Sequence, residues 1–116
     1  MIRVGLQHDR LGCLRRFEMV GHATGARFGE NPVCAAATAL ARTAARVLDE
    51  VPAVEVRGVA EHEGRLQVHV ASYERDASNY LKGVSDYLLV GLRDLEREYP
   101  DQVSVVVEDL VETEGE

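Results

Sequence analysis

The spacing of hydrophobic residues along this chain switches repeatedly between about two residues and about 3.6 residues. This pattern is typical of strands that alternate with helices. Apolar residues occupy alternate positions over residues 2–8 and predict a first strand there. Residues 13–20 alternate in the same way after a short turn, and they predict a hairpin with the first strand. Three further strands are predicted at residues 53–61, at residues 65–73, and around Val103, Val105 and Val107.

Two segments have the longer spacing of amphipathic helices. The first covers residues 32–50, with Asn31 as its N-cap and Pro32 at the first helical position, where proline is tolerated. The second covers residues 77–98, with Asp76 as its cap. The predicted buried stripes are Val33, Ala37, Leu40, Ala44 and Val47 in the first helix, and Leu81, Val84, Leu88, Leu92 and Leu95 in the second.

The predicted order of elements is therefore ββαββαβ. Strands with one apolar face and two amphipathic helices favour an α+β fold, a two-layer sandwich with both helices on one face of a mixed or antiparallel sheet. A chain of 116 residues can bury one modest core, so residues 1–116 are expected to form a single domain. The acidic end, from about residue 109 to residue 116, is expected to fray.

The composition is that of an ordinary globular protein and argues against several classes of partner. Hydrophobic residues make up 46% of the chain and charged residues 28%, with a formal net charge of −7. No apolar run approaches the roughly 20 residues that span a bilayer, and the N-terminus lacks the apolar core of a signal peptide. The basic residues are too scattered to neutralise a nucleic-acid backbone. We therefore expect a cytoplasmic protein with free thiols that binds neither a membrane nor nucleic acid.

The residues that could carry chemistry are concentrated between positions 21 and 38. If Asn31 caps the first helix, Cys34 is its third residue and lies near unpaired N–H groups and the positive end of the helix dipole, which favour a thiolate. Helical spacing places Cys34 at the boundary between the buried stripe and the solvated face, with Thr38 beside it one turn later. This position predicts a thiol that a substrate can reach. Cys13, by contrast, alternates with apolar residues and is expected to be a small core residue.

His22 follows the second predicted strand and could be the partner of this thiol. The segment from His22 to Cys34 can fold back and bring the imidazole within hydrogen-bond reach of the sulfur, so that a thiolate–imidazolium pair forms. The histidine could then protonate a leaving amine, and N–H groups of the helix start, including that of Cys34, could bind an oxyanion. Gly21, Gly25 and Gly29 would let the loop approach an extended peptide or move as a gate. The residues alone equally allow a packing cysteine and a surface histidine.

The segment GHATGARFGENPVCAAATAL resembles the active-site signature of the ribosomal-processing cysteine proteases, the Prp family, and the resemblance extends over essentially the whole chain. It implies that His22 and Cys34 form a catalytic dyad in a small α+β domain that associates as a homodimer. The implied substrate is the precursor of the large-subunit ribosomal protein twenty-seven, from which such proteases remove a short N-terminal extension after hydrophobic, aromatic-rich residues. The glycine loop would be a mobile flap that orders around this peptide.

Two supporting positions depart from the family pattern, which commonly has aspartate at position 31 and serine at position 38. Asn31 can still cap the helix but brings no charge to hold an imidazolium, so this member is expected to be slower if the aspartate orients the histidine. Thr38 keeps the hydroxyl and adds a methyl group. Neither a CxxC nor an HExxH motif is present, so no metal site or cofactor is expected. The alternative function is a non-catalytic module that binds a ribosomal protein or assists ribosome assembly.

Overall fold

The structure, a computed structural model, describes residues 1–21, 31–62 and 65–109. Within these residues the predicted order ββαββαβ is confirmed, and the predicted boundaries differ from the observed ones by no more than one residue. The elements are β1 (Ile2–His8), β2 (Leu14–Val20), α1 (Pro32–Asp49), β3 (Val54–His62), β4 (Arg65–Tyr73), α2 (Ser78–Glu98) and β5 (Val103–Asp109). The acidic segment that was expected to fray lies beyond Asp109, outside the described residues.

The five strands form one mixed sheet in the order β3-β4-β2-β1-β5. The β1–β2, β2–β4 and β3–β4 pairs are antiparallel, whereas β1 and β5 are parallel. Because Ile2 pairs with Val103 and Arg3 pairs with Val20, the start of β1, the start of β5 and the end of β2 meet at one end of the sheet. We call this the Ile2 end, and the opposite end, where β1 finishes, the His8 end.

Both helices cover one face of the sheet, which confirms the predicted two-layer α+β sandwich. On β1, Ile2, Val4 and Leu6 are buried while Arg3 is exposed, as a strand with one covered face requires. Removal of apolar side chains from water on this face is the main stabilising term for such a fold. The largest fully buried side chains are Phe17, Ile2, Leu6, Leu14, Leu48, Leu81, Leu88 and Leu92.

The buried stripe of α1 differs from the predicted one. Leu40 and Val47 are only partly buried. Leu40 lies against Gly91 of α2, where an added Cβ would lie 3.0 Å from the Leu40 Cδ1 atom. The fully buried residues of α1 are Val33, Cys34, Ala37, Ala41, Ala44 and Leu48. The stripe is thus rotated by roughly half of one residue's 100° step.

A β-bulge in β2 buries one residue that the alternation did not predict. His8 pairs with Leu14 whereas Gln7 pairs with Arg16, so Arg15 is an extra residue in β2. The extra residue inverts the alternation, and Leu14 therefore joins Phe17 on the buried face.

The prediction that Asp76 caps the second helix is wrong. A short 3-10 turn, Arg75–Ala77, precedes α2 and contains Asp76, and the N-cap residue Ala77 makes no side-chain capping bond. The Ala77 N–H group instead donates to the Glu74 carbonyl at 2.9 Å. The tighter turn thus provides a backbone partner at the helix entry in place of an aspartate side chain.

Neither of the two helices in the described part of the chain combines the length and the apolarity that a membrane span needs.

Candidate active site

The first turn of α1 is closed by Asn31, as the sequence predicts. The Asn31 backbone is extended, and its Oδ1 accepts hydrogen bonds from the N–H groups of Val33 at 2.7 Å and Cys34 at 3.2 Å. Pro32 has no N–H group, and the Ala35 N–H group donates to the Asn31 carbonyl at 3.0 Å. Every N–H group in this first turn therefore has a partner.

This arrangement corrects the expectation that N–H groups of the helix start are free to bind an oxyanion. Cys34 is the third helical residue, as predicted, but its N–H group is directed at Asn31. One oxygen is shared by two donors, and the bond from Cys34 is the longer of the two. A substrate oxygen could bind to the Cys34 N–H group only by replacing Asn31 there.

Cys34 lies on the buried face of α1, with an exposed fraction of 9%. The prediction that this thiol is openly reachable is therefore wrong. The physical reason is the rotated stripe, in which Cys34 shares the buried face of α1 with Ala37, Ala41 and Ala44. Thr38, one turn later, is half-buried, as expected for a residue beside Cys34 at the edge of the stripe.

The two cysteines differ in their surroundings, although both are free thiols. Cys13 is 1% exposed, and its Sγ donates to the Ser78 carbonyl at 3.2 Å. Burial raises the pKa of the Cys13 thiol, so this sulfur is held in the unreactive neutral form. The expectation that Cys13 is a core residue is confirmed.

Both ends of the loop that joins β2 to α1 are anchored at the Ile2 end of the sheet. Gly21 has a φ of 101°, and a Cβ there would lie 2.3 Å from the Met1 carbonyl oxygen, so only glycine fits. At the other end of the loop, Asn31 Nδ2 donates to Gln102 Oε1 at 3.1 Å. The Gln102 carbonyl in turn accepts a hydrogen bond from the Ile2 N–H group at 2.8 Å. The two loop ends are thus fixed beside the start of β1.

Most of this loop lies outside the described residues. His22, Gly25 and Gly29 belong to that part, so the dyad partner and the substrate flap remain predictions. Gly21 is described, and its positive φ gives it a defined role at the point where the chain leaves β2.

A second polar cluster, which the sequence analysis missed, lies at the His8 end of the sheet. Asp9 is 6% exposed, and its Oδ1 accepts hydrogen bonds from the N–H groups of Leu11 at 2.9 Å and Cys13 at 3.1 Å. The Tyr73 hydroxyl donates to Asp9 Oδ2. Burial, together with this hydrogen bond, raises the pKa of Tyr73. An aspartate that opens a tight turn was the signal in the sequence that could have indicated this cluster.

The same cluster borders an open cleft of about 560 Å³. Arg15, which lines this cleft, donates to the carbonyls of Val70 at 3.2 Å and Ala71 at 3.3 Å. Its guanidinium lies 5.9 Å from the centre of the Tyr73 ring. These carbonyls lie just beyond the last β2–β4 pair, which joins Arg16 and His69. The polar groups therefore satisfy one another, and we interpret the cluster as structural.

The described part of the chain contains no group of three His, Cys, Asp or Glu side chains placed to hold a metal ion.

Comparisons with known proteins give the family. The family model described as cysteine protease Prp matches residues 1–104. The structure of SMU.848 from Streptococcus mutans has a TM-score of 0.76 and 20% identity, covering 95% of this chain and 96% of that one. The ribosomal processing protease Prp from S. aureus, in complex with a covalently linked product peptide, has a TM-score of 0.76 and 20% identity, covering 92% and 99%.

The same S. aureus protease in complex with a substrate peptide has a TM-score of 0.72 and 18% identity, again covering 92% of this chain and 99% of that one. A comparison with curated proteins found no match. At these identities the solved structures show a shared fold, and the match of the family model over most of the chain shows the family. The resemblance inferred from the segment around His22 and Cys34 is confirmed: the chain belongs to the cysteine protease Prp family.

Proposed function

We propose that this protein is an endopeptidase that removes the N-terminal extension of the large-subunit ribosomal protein twenty-seven, with Cys34 as the nucleophile and His22 as the general base. Membership of a cysteine protease family supports cleavage by a thiol. Cys13 is less suited to that role than Cys34, because it is 1% exposed against 9% for Cys34, its Sγ donates to the Ser78 carbonyl, and burial raises its pKa. The S. aureus relative is described as a ribosomal processing protease, which supports the class of substrate.

The observation that carries the proposal is the convergence of the two loop anchors. His22 directly follows Gly21, which is packed against the Met1 carbonyl. Cys34 lies in the first turn after Asn31, which is held by Gln102 at the same end of the sheet. The residue before His22 and the residue that caps the helix of Cys34 are thus both held at the Ile2 end of the sheet. This geometry favours a dyad over an unrelated pair of side chains.

In the proposed reaction, the Cys34 thiolate attacks the scissile carbonyl carbon, a C–S bond forms and the C–N bond breaks. His22 takes the thiol proton and gives it to the leaving amine. Water then loses a proton to His22 and hydrolyses the thioester, which restores the thiol. Cys34 lies in the first turn of α1, at the positive end of the helix dipole.

The supporting roles expected for Asn31 and Thr38 are proposed in modified form. Both ends of the Asn31 carboxamide already have partners among the described residues, namely two helix N–H groups and Gln102. We therefore assign Asn31 to the helix start rather than to the imidazole. Thr38 is half-buried one turn after Cys34, where its side chain can limit the rotamers of the nucleophile.

Cleavage of a synthetic peptide that spans the extension and the mature N-terminus tests the proposal. We expect Cys34→Ala to abolish cleavage and His22→Ala to reduce it by at least about a hundredfold at neutral pH, the usual scale for a general base. Cys13→Ala and His69→Ala are the matched controls, and both should retain cleavage because Cys13 is a neutral core residue and His69 is exposed on β4.

Cleavage that survives Cys34→Ala would show that another group is the nucleophile. Tight binding of the peptide without cleavage by the wild-type chain would instead favour the alternative module that binds a ribosomal protein. We also propose a cytoplasmic homodimer that needs no cofactor, as the family resemblance implies. Light scattering of the purified chain would then give the mass of two chains.

A further inference from the structure

Gln102 connects the entry of β5 with the first turn of α1. Its N–H group donates to the Tyr99 carbonyl at 2.9 Å, and its own carbonyl accepts a hydrogen bond from the Ile2 N–H group at 2.8 Å. These two backbone bonds hold the residue between the end of α2 and the start of β1. Because the backbone of Gln102 is already fixed, only side-chain entropy is lost when this side chain makes a hydrogen bond.

The hydrogen bonds around Asn31 permit one orientation of both carboxamides. Because a carboxamide nitrogen cannot accept, the Asn31 oxygen must face the N–H groups of Val33 and Cys34. Asn31 Nδ2 must then face Gln102, which presents its own oxygen at 3.1 Å. Without that acceptor, Nδ2 would have no partner among the described residues, and the Asn31 carboxamide could rotate away from the helix.

We propose that Gln102 is a positioning residue for the protease reaction, which holds Asn31 and, through Asn31, the backbone of Cys34 in its working orientation. This inference rests on the proposed function, because it takes Cys34 as the nucleophile. Gln102 acts on the nucleophile through one intermediate residue and has no assigned contact with substrate. Its removal should therefore lower turnover while leaving the KM for the peptide unchanged.

The identity of the side chain fits this role. A glutamine can present either its oxygen or its nitrogen after a turn of the carboxamide, so it can partner an asparagine or an aspartate at position 31. Glutamate at position 102 can only accept, so it can partner Asn31 but not an aspartate. Introducing a carboxylate at position 31, at position 102 or at both therefore tests whether the two side chains depend on each other.

Amide hydrogen exchange measured by NMR on the full chain is the first readout. We expect Gln102→Ala and Gln102→Met to speed exchange at the Val33 and Cys34 amides by about fivefold, the scale of one neutral hydrogen bond. Gln102→Glu keeps the acceptor and should restore wild-type exchange. Gln67→Ala is the control, because Gln67 is a half-buried glutamine on β4 whose side chain makes no hydrogen bond within the described part of the chain.

Steady-state cleavage of the peptide is the second readout. Gln102→Ala should lower kcat by about fivefold with KM unchanged, and Gln102→Glu should restore kcat, because it keeps the acceptor for Asn31. A general loss of folding would lower the active fraction in both variants and would not be rescued by glutamate. Wild-type exchange and wild-type kcat in Gln102→Ala would overturn the inference, as would a Gln102→Glu variant as defective as Gln102→Ala.

The combination with Asn31→Asp tests whether the two positions act together. Asn31→Asp alone is the reference for this combination, since Gln102 can turn its nitrogen toward the carboxylate. Asn31→Asp with Gln102→Glu places two carboxylates in contact, and kcat should fall by more than about tenfold beyond the product of the single effects. Purely multiplicative effects would contradict the coupling that we propose.

The two proposals fail in different ways. If the wild-type chain does not cleave the peptide, the proposed function and the catalytic role of Gln102 are both overturned. If the wild-type chain cleaves and the Gln102 variants match it in kcat and in amide exchange, the role of Gln102 alone is overturned.

Discussion

At the scale of single residues, Asn31 does more than a helix cap usually does. Within the described residues it makes three side-chain hydrogen bonds, two through Oδ1 to helix N–H groups and one through Nδ2 to Gln102. An aspartate at this position would keep both capping bonds and place a charge at the positive end of the helix. It could keep the contact with Gln102 only if that carboxamide turned. The N-cap of α1 is therefore an uncharged side chain, and the first turn contains no acidic residue.

We expect Asn31→Ala to lower the free energy of unfolding by about 1–2 kcal/mol, because the N–H groups of Val33 and Cys34 lose their acceptor. Asn31→Asp should change it by less than about 1 kcal/mol, since the cap is kept. Urea unfolding at neutral pH measures both. Asn79→Ala, at an exposed position of α2, is the control, and an equal cost for Asn31→Ala and Asn79→Ala would contradict the role of Asn31.

At the scale of secondary-structure elements, the contact between the two helices decides how α1 is rotated. Gly91 of α2 leaves room for Leu40 of α1, and an added Cβ would lie 3.0 Å and 3.2 Å from the two Leu40 methyl groups. Leu40 is thereby drawn to the side of α1, and the alanines and Cys34 face the sheet. The burial of Cys34 is thus a consequence of packing two turns further along its helix.

Two glycines of α2 allow this contact to be measured against a matched control. An added Cβ at Gly83 meets no atom within 4 Å, so Gly83→Ala should raise the free energy of unfolding by about 1 kcal/mol through helix propensity alone. Gly91→Ala gains the same propensity but pushes on Leu40, so it should be less favourable than Gly83→Ala by about 1 kcal/mol or more. Thermal unfolding measures the difference. Equal changes in the free energy of unfolding at the two positions would show that Leu40 moves aside without cost.

At the scale of the whole molecule, α2 covers part of an edge of the sheet. β5 is an edge strand, and the Val103 N–H group donates to the Tyr99 carbonyl at 3.1 Å. The Val105 N–H group donates to Glu96 Oε2 at 2.9 Å, and the Val105 carbonyl accepts from Arg93 at 3.2 Å. The end of α2 thus occupies backbone groups that would otherwise be open to pairing with another strand.

This edge contact predicts a dependence of stability on pH. The hydrogen bond from the Val105 N–H group, followed by the bond from Arg93, lowers the pKa of the Glu96 carboxyl below its ordinary value of 4.5. A carboxyl with a lowered folded-state pKa stabilises the fold above its unfolded-state pKa, and this contribution is lost as the pH falls through the folded-state value. We therefore expect Glu96→Gln to lower the free energy of unfolding by about 1 kcal/mol at neutral pH.

That difference should shrink as the pH falls below 4.5, where the carboxyl of the unfolded chain becomes protonated, and it should be lost below the lowered folded-state pKa, where the folded carboxyl is protonated as well. Urea unfolding over a series of pH values measures it, with Glu98→Gln, at an exposed position near the end of α2, as the control. A difference between Glu96→Gln and wild type that does not change with pH would show that the charge of Glu96 contributes nothing.

Local patterns in the sequence predicted the order of elements, the α+β class, the cap at Asn31 and the place of Cys34 in the first turn of α1. These features depend on residues only a few positions apart, because strand alternation, helical spacing and capping are set by neighbouring side chains. The family resemblance came from one such segment, and the match over residues 1–104 confirms it. The boundary of each element was therefore predicted to within one residue wherever a boundary was given.

Only the tertiary structure decided how exposed Cys34 is and what holds Asn31. The rotation of α1 depends on Gly91, and the partner of Asn31 lies 71 positions away at Gln102, a contact that no local pattern contains. The bulge at Arg15 likewise follows from the pairing of β2 with its neighbours. The sequence by itself determined which residues begin the helix of the nucleophile. Packing between distant segments determined the direction in which that helix faces, because burial depends on which surfaces meet.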